Sequence, residues 1–237
     1  MSPTVVLIHG AFADASGWGG VIDRLSAAGL TAYAPANPLR SVSGDAAYVR
    51  SFVSTIEGPV VLVGHSYGGA VITNAAVGAD NVAALVYIAA FALEEGEAAG
   101  AATALGADGP PPDLTQVITV RPFPDAGEGN ADAYLNVDIF PHTFCQDLPA
   151  EVGAVMAVSQ RPAALATLGE PSGPPAWKTL PSWAVIGTDD RVIPVAVLRH
   201  FAERAGSTVS ELSASHVSMV SHPDAAVAAI IAAASSL

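Results

Sequence analysis

The chain has 237 residues, 51% of them hydrophobic and 13% charged, with a formal net charge of -13. So high an apolar share supplies the core of one large α/β domain and excludes a disordered chain. The acidic balance, with no Lys/Arg cluster to offset it, argues against nucleic acid or a bulk anionic membrane surface as partners.

Val5-Val6-Leu7-Ile8 is a continuous apolar run ended by His9-Gly10, as expected of a strand buried on both faces. Ser16 is a candidate cap for a helix through Trp18, Val21, Ile22, Leu25 and Ala28, ending at Gly29. Thr31 to Ala34 reads as a second strand stopped by Pro35, and Asp45 to Ile56 as a helix stopped by Gly58-Pro59. Val60 to Val63 is a third strand, Gly68 to Val77 a helix and Val82 to Ile88 a fourth strand. This alternation of apolar strands and helices predicts βαβ units and a parallel sheet covered on both faces.

The pattern then breaks. Residues 92–178 are rich in proline, including Pro110-Pro111-Pro112 and Pro174-Pro175. Gln116 to Val120 and Tyr134 to Phe140 read as short strands, Leu148 to Ser159 and Ala163 to Leu168 as helices. The segment is expected to be a cap inserted over the sheet, with residues 1–91 and 179–237 forming the core of a single domain. Afterwards the first pattern returns: Ser182 to Ile186 as a strand, Val195 to Ala205 as a helix, Val209 to Leu212 as a strand, and a last helix from Pro223 through Ile231.

The chemistry begins with Gly64-His65-Ser66-Tyr67-Gly68, a Gly-x-Ser-x-Gly run between an apolar strand and a helix. That turn projects a serine above the end of the strand, with the free N–H groups of a helix start behind it. Ser66 is therefore the candidate nucleophile. A serine hydroxyl needs a base, and the base an orienting acid. The order serine, acid, histidine directs attention to the C-terminal part, where His200 falls inside a helix and His222 adjoins Pro223. His216 follows a strand after a short loop, which puts it on the same sheet rim as Ser66. The acid is expected in Gly187-Thr188-Asp189-Asp190, and position alone does not separate the two carboxylates. Oxyanion donors are expected from the backbone N–H groups of Tyr67 and Ala11. His9 reads as a loop histidine holding backbone groups, Trp18 and Cys145 as packed residues, and Asn37-Pro38-Leu39-Arg40 as an ordered turn.

Neither a Cys/His cluster at ligand spacing nor a Gly-x-Gly-x-x-Gly after the first strand is present, so no metal and no cofactor is expected. The single Cys145 cannot form an internal disulfide, which suits a reducing cytosol. The N-terminus has no basic region before its short apolar run, and Ala225 to Ala234 is about half of the roughly 20 residues of a membrane span. A cytoplasmic protein is expected, with a homodimer left open.

Taken together, Leu7 to Ala11, Gly64 to Gly69, Gly187 to Pro194 and Ser215-His216-Val217 resemble the α/β-hydrolase superfamily over essentially the whole chain. Within it the chain looks most like plant methyl esterases, the related hydroxynitrile lyases and bacterial small esterases. The resemblance implies an α/β-hydrolase fold with a cap. It also selects Asp190, four residues before Pro194, over Asp189. Hydroxynitrile lyases of this type carry a lysine directly after the histidine, where this chain has Val217, and the dehalogenase and epoxide-hydrolase relatives use aspartate where it has Ser66. The implied activity is a serine carboxylesterase with the triad Ser66, Asp190 and His216 and a small apolar ester as substrate. Lactonase, amidase, C–C hydrolase or cofactor-free oxygenase chemistry on the same triad, or a receptor retaining it, are the alternatives.

Overall fold

The computed structural model describes residues 2–105 and 116–237; Met1 and residues 106–115, with the Pro110-Pro111-Pro112 run, lie outside the described residues. The first half alternates as its apolar runs predict. β1 (Thr4–Ile8) leads through a 3-10 turn (Ala15–Trp18) into α1 (Gly19–Ala27). Then come β2 (Ala32–Tyr33), α2 (Val42–Val53), β3 (Val60–His65), α3 (Tyr67–Ala75) and β4 (Val82–Ile88). Short elements follow: α4 (Ala99–Ala102), β5 (Ile118–Arg121), β6 (Asp132–Leu135), α5 (Phe140–Thr143), α6 (Ala150–Ser159), β7 (Ala163–Ala164) and α7 (Ala166–Gly169). The alternation resumes with β8 (Ser182–Gly187), α8 (Val195–Arg204), β9 (Thr208–Leu212), α9 (Ser218–Ser221) and α10 (Pro223–Ser235).

Six strands form one sheet in the order β2-β1-β3-β4-β8-β9, every pair parallel. Side chains alternate across its faces. Val6, Ile8 and Leu62 pack with α2 and α3 residues such as Val49 and Ile72, whereas Val5, Leu7 and Val63 pack with Trp18, Leu25 and Ile230 on the other face. Burial on both sides is why these strands read as unbroken apolar runs. The order reverses between β1 and β3, so the loops after β1 and β3 open onto one crevice at the C-terminal edge, the usual ligand position in such sheets. β5, β6 and β7 form a separate antiparallel sheet.

Local capping chemistry moves several boundaries. The first helical turn is capped by Asp14, whose carboxylate accepts the Ser16 N–H at 2.7 Å, rather than by Ser16. Ser41 caps α2 by accepting the Gly44 N–H at 3.1 Å, so that helix starts before Asp45. The expected strand from Tyr134 to Phe140 stops at Leu135, because the Asn136 carbonyl accepts the Ile139 and Phe140 N–H groups and turns the chain into α5. The expected helix from Ala163 divides into β7 and α7.

Two glycines test how tightly the layers meet. A Cβ on Gly68 would collide with the Ile8 carbonyl oxygen, whereas one on Gly19, in the first turn of α1, meets nothing within 4 Å. Gly68→Ala is expected to destabilise the fold by about 1–3 kcal/mol through overpacking. Gly19→Ala is expected to stabilise it by about 0.4–1 kcal/mol through a less flexible unfolded chain. Urea unfolding of both variants checks the opposite signs.

Candidate active site

β3 passes into α3 with only Ser66 between them, so this residue absorbs the whole change of direction. Its backbone sits at φ 52°, ψ -123°, a conformation that costs a non-glycine residue about 1–3 kcal/mol and persists only where its surroundings hold it. They do: the Ser66 N–H donates to the Ile88 carbonyl at 3.2 Å, and the Ser66 carbonyl accepts the Gly69 and Phe91 N–H groups at 2.9 and 3.2 Å. From β1, Gly10 comes so close that a Cβ there would lie 2.6 Å from the Ser66 Cβ. Tyr67 begins α3, where helix N–H groups have no intrahelical acceptor. Ala11 and Tyr67 are buried and line the same cavity as Ser66.

The loops after β8 and β9 bring Asp190 and His216 together. Asp190 Oδ2 accepts the His216 Nδ1–H at 2.7 Å, and both side chains are fully buried. Asp190 Oδ1 accepts the Val192 and Ile193 N–H groups at 2.8 and 3.0 Å, which fixes the carboxylate. Its neighbour Asp189 is exposed and accepts from the Ser213 hydroxyl instead. With Nδ1 engaged, the remaining ring atom is Nε2, which is buried and has no hydrogen-bond partner among the described residues. An imidazole held this way has one tautomer, with its basic lone pair on Nε2.

Two further histidines brace the site without reaching its surface. The Asn37 N–H donates to His9 Nε2 at 3.0 Å and the ring's Nδ1–H donates to the Gly10 carbonyl at 2.9 Å. The Asn37 amide also donates to the His9 carbonyl at 3.0 Å. His9 thus locks the loop that carries Ala11. His65 Nε2–H donates to the His216 carbonyl at 3.0 Å, and the two rings stand 4.8 Å apart. Burial holds His65 well below the ordinary imidazole range, aided by the nearby His216, and burial likewise lowers His9. Both are therefore neutral supports. Under Tyr67, the phenol donates to Asp45 Oδ2 at 2.8 Å, and the Arg40 N–H donates to the same carboxylate at 3.1 and 3.2 Å. Burial pushes the pKa of Asp45 upward.

Residues 142–147 grip both loops from above. The Asp147 carboxylate accepts the Ser215 N–H at 2.9 Å and the Ser221 hydroxyl at 2.7 Å. Gln146 donates to the Asp189 carbonyl at 2.7 Å, and Arg191 donates to the His142 carbonyl at 2.8 Å. Neighbouring Cys145 is buried, which pushes its thiol up to about 11, so it is no nucleophile at neutral pH. His200 lies on α8, and the His222 ring meets the Ser221 hydroxyl at 2.9 Å and, at 4.0 Å, Asp147. Among the described residues no group of three or more His, Cys, Asp or Glu could hold a metal, and no helix is long and apolar enough to cross a membrane.

The cavity above Ser66 holds about 140 Å³ and is walled mostly by apolar side chains, among them Phe91, Phe144, Leu168 and Ile193. Phe12 stands beside it with φ 62°. Asn37, Asp45, His65 and Phe12 are the site residues that sequence reasoning passed over or read blandly. For His65 a signal existed, since it lies inside the serine motif itself.

A doubly covered parallel sheet with a serine elbow and a buried carboxylate–imidazole pair on one rim defines a protein of the hydrolase-fold class. A sequence model of the alpha/beta hydrolase family matches residues 5–230, and the chain belongs to that family. No curated protein matches it significantly. Among solved structures it is similar to a pyrethroid hydrolase from Sphingobium faniae JZ-2 (TM-score 0.79, 23% identity, 98% of this chain and 97% of the other). Polyneuridine aldehyde esterase (TM-score 0.82, 17% identity, 98% and 99%) and a methylesterase from Arabidopsis (TM-score 0.74, 21% identity, 99% and 100%) share the same fold.

The neutral histidines have a pH consequence. A histidine whose folded pKa lies below its unfolded value of about 6.5 contributes fully above that pH. As pH falls below it, stability is lost at about 1.4 kcal/mol per pH unit until the folded pKa is reached. In His65→Gln, whose amide retains a donor for the His216 carbonyl, the stability lost between pH 6.5 and 5.5 is expected to be about 1 kcal/mol smaller than in the unaltered protein. Urea unfolding at the two pH values checks it; equal losses would mean that His65 protonates freely in the fold.

Proposed function

We propose that the protein is a serine hydrolase of small apolar carboxylic esters. The observation that carries this reading is the buried Asp190–His216 pair, 2.7 Å apart, with the basic face of the imidazole unpartnered on the rim that holds the strained Ser66. In the proposed reaction, Ser66 Oγ attacks the ester carbonyl carbon while His216 Nε2 takes its proton. Asp190 stabilises the resulting imidazolium and keeps its orientation. The Ala11 and Tyr67 N–H groups receive the oxyanion, each worth about 10²–10³ in rate. His216 then returns the proton to the departing alkoxide and activates the water that cleaves the acyl-enzyme.

The surroundings support an ester as substrate. Among the described residues the cavity presents mostly aromatic and aliphatic walls, with Arg191 as the charged residue, which favours a neutral apolar group. Similarity to proteins named as a pyrethroid hydrolase, an aldehyde esterase and a methylesterase is consistent with this chemistry. Fully buried Val217 follows His216, so no cation stands there to stabilise a cyanide leaving group. Residues 92–178 act as the cap that closes the cavity and excludes water.

Ser66→Ala is expected to lower kcat on short p-nitrophenyl esters by at least about 10⁴-fold. Asp190→Asn is expected to cost about 10⁴-fold by stabilising the wrong imidazole tautomer, whereas Asp189→Asn is expected to change kcat by less than about threefold. Retained turnover in Ser66→Ala, or inactivity confined to Asp189→Asn, would overturn the assignment.

A further inference from the structure

A second cavity, of about 190 Å³, lies beyond Phe12 from the one that contains Ser66, and Phe12 is the residue that lines both among the described residues. Val152, Met156 and Ser159 face it from α6 at the i, i+4, i+7 spacing of one helix side. Val217, Met219 and Val220 face it from the segment that follows His216.

Several polar groups of this wall are already engaged. Gln160 exchanges hydrogen bonds with the backbone of Leu135 and donates to the Ala157 carbonyl. The Ser159 hydroxyl donates to the Val155 carbonyl, and Asp14 accepts the Ser16 N–H. What the wall offers an occupant is chiefly apolar contact, and Asp14, the charged residue of the wall among the described residues, disfavours an anion.

The direction of proton transfer says which part of a substrate belongs there. On breakdown of the tetrahedral intermediate the bond from acyl carbon to alkoxy oxygen breaks. The His216 Nε2 proton then moves to that oxygen and the acyl group stays on Ser66 Oγ. The alcohol portion must therefore lie on the His216 side, and Val217, the next residue, walls the second cavity. We propose that the second cavity is the alcohol subsite, taking a neutral, apolar group of about benzyl size, with Phe12 dividing it from the acyl subsite above Ser66. An apolar cavity of about 150 Å³ accommodates benzene, so 190 Å³ is sufficient.

The assignment rests on the serine-esterase reading, and one experiment separates the two. The kcat/KM values for benzyl and methyl butyrate, and for methyl hexanoate and methyl acetate, are measured in the unaltered protein, in Met156→Trp and in Val152→Trp. Val152 is the more exposed of the two positions, so its variant decides the matter if Met156→Trp fails to fold. Filling the second cavity is expected to lower the benzyl-to-methyl ratio about tenfold or more while the hexanoate-to-acetate ratio stays within about twofold. A smaller fall, or a fall in the hexanoate-to-acetate ratio instead, overturns the subsite assignment alone. If the unaltered protein turns over none of these esters, the esterase reading fails and the subsite with it.

Discussion

A strand that runs into a helix without a linker must turn within one residue, and here that residue is Ser66. The constraint spreads outward from its positive φ. Close passage of β1 leaves no room for a side chain at Gly10, and the α3 start leaves none at Gly64, where a Cβ would sit 2.5 Å from the Gly68 carbonyl oxygen. The serine backbone is then tied to β4 through Ile88 and to the strand's continuation through Phe91. Three neighbouring chain segments thus meet at one strained residue, and the sheet order that places β1 and β4 on either side of β3 makes the meeting possible.

Everything polar around that residue is arranged to avoid a free buried charge. His9 and His65 stay neutral because burial penalises their cations. Each uses its ring to hold a carbonyl oxygen: Gly10 beside Ala11 in one case, His216 in the other. His65 is covalently attached to Ser66 while its ring holds the backbone of His216, so the two sides of the site are spaced by a single side chain. From above, Asp147 holds Ser215, immediately before His216, and Arg191, immediately after Asp190, reaches the His142 carbonyl. Residues 142–147 are therefore mechanically continuous with the loops on the sheet rim.

The sheet was legible in the sequence because parallel strands buried on both faces leave continuous apolar runs, of which Val60 to Val63 is the clearest. The placement of Ser66 between β3 and α3, and of His216 on the loop after β9, was legible because it follows from the strand pattern. The choice between Asp189 and Asp190 was not a matter of pattern in the residues themselves. The family resemblance favoured Asp190, and in the folded loop it is Asp190 that meets His216 Nδ1 and receives the Val192 and Ile193 N–H groups. Between β4 and β8 the reading failed where composition misleads. Ala163-Ala164 looks helical, yet pairs with Asp132-Ala133, since two small residues suffice to extend a short ladder. The turn at Asn136 and Pro141 in the first turn of α5 were signals that a run of apolar letters obscured. Asn37 and Asp45 were invisible in their roles because each acts through tertiary contacts, with His9 and Tyr67.

The same division separates chemistry from selectivity. The groups that touch reacting atoms in the proposed reaction sit directly after β3 or on the short loops after β8 and β9, which hydrogen bonds hold in place. Much of the wall of the first cavity comes from short elements between β4 and β8, among them Ile118, Leu135 and Leu168, and α6 lines the second. That helix is apolar nearly all round, a composition normally found in buried helices, yet Val155 and Val158 are 64% and 76% exposed. Its inner side has no such freedom: a Cβ on Gly153 would lie 3.2 Å from the Cys145 sulfur. That packing fixes α6 against the residues that grip the His216 loop, leaving Val152 and Met156 as the positions where wall shape can change without disturbing the support of the imidazole. A fold built this way can alter what it accepts while the strained serine and its paired imidazole stay in place.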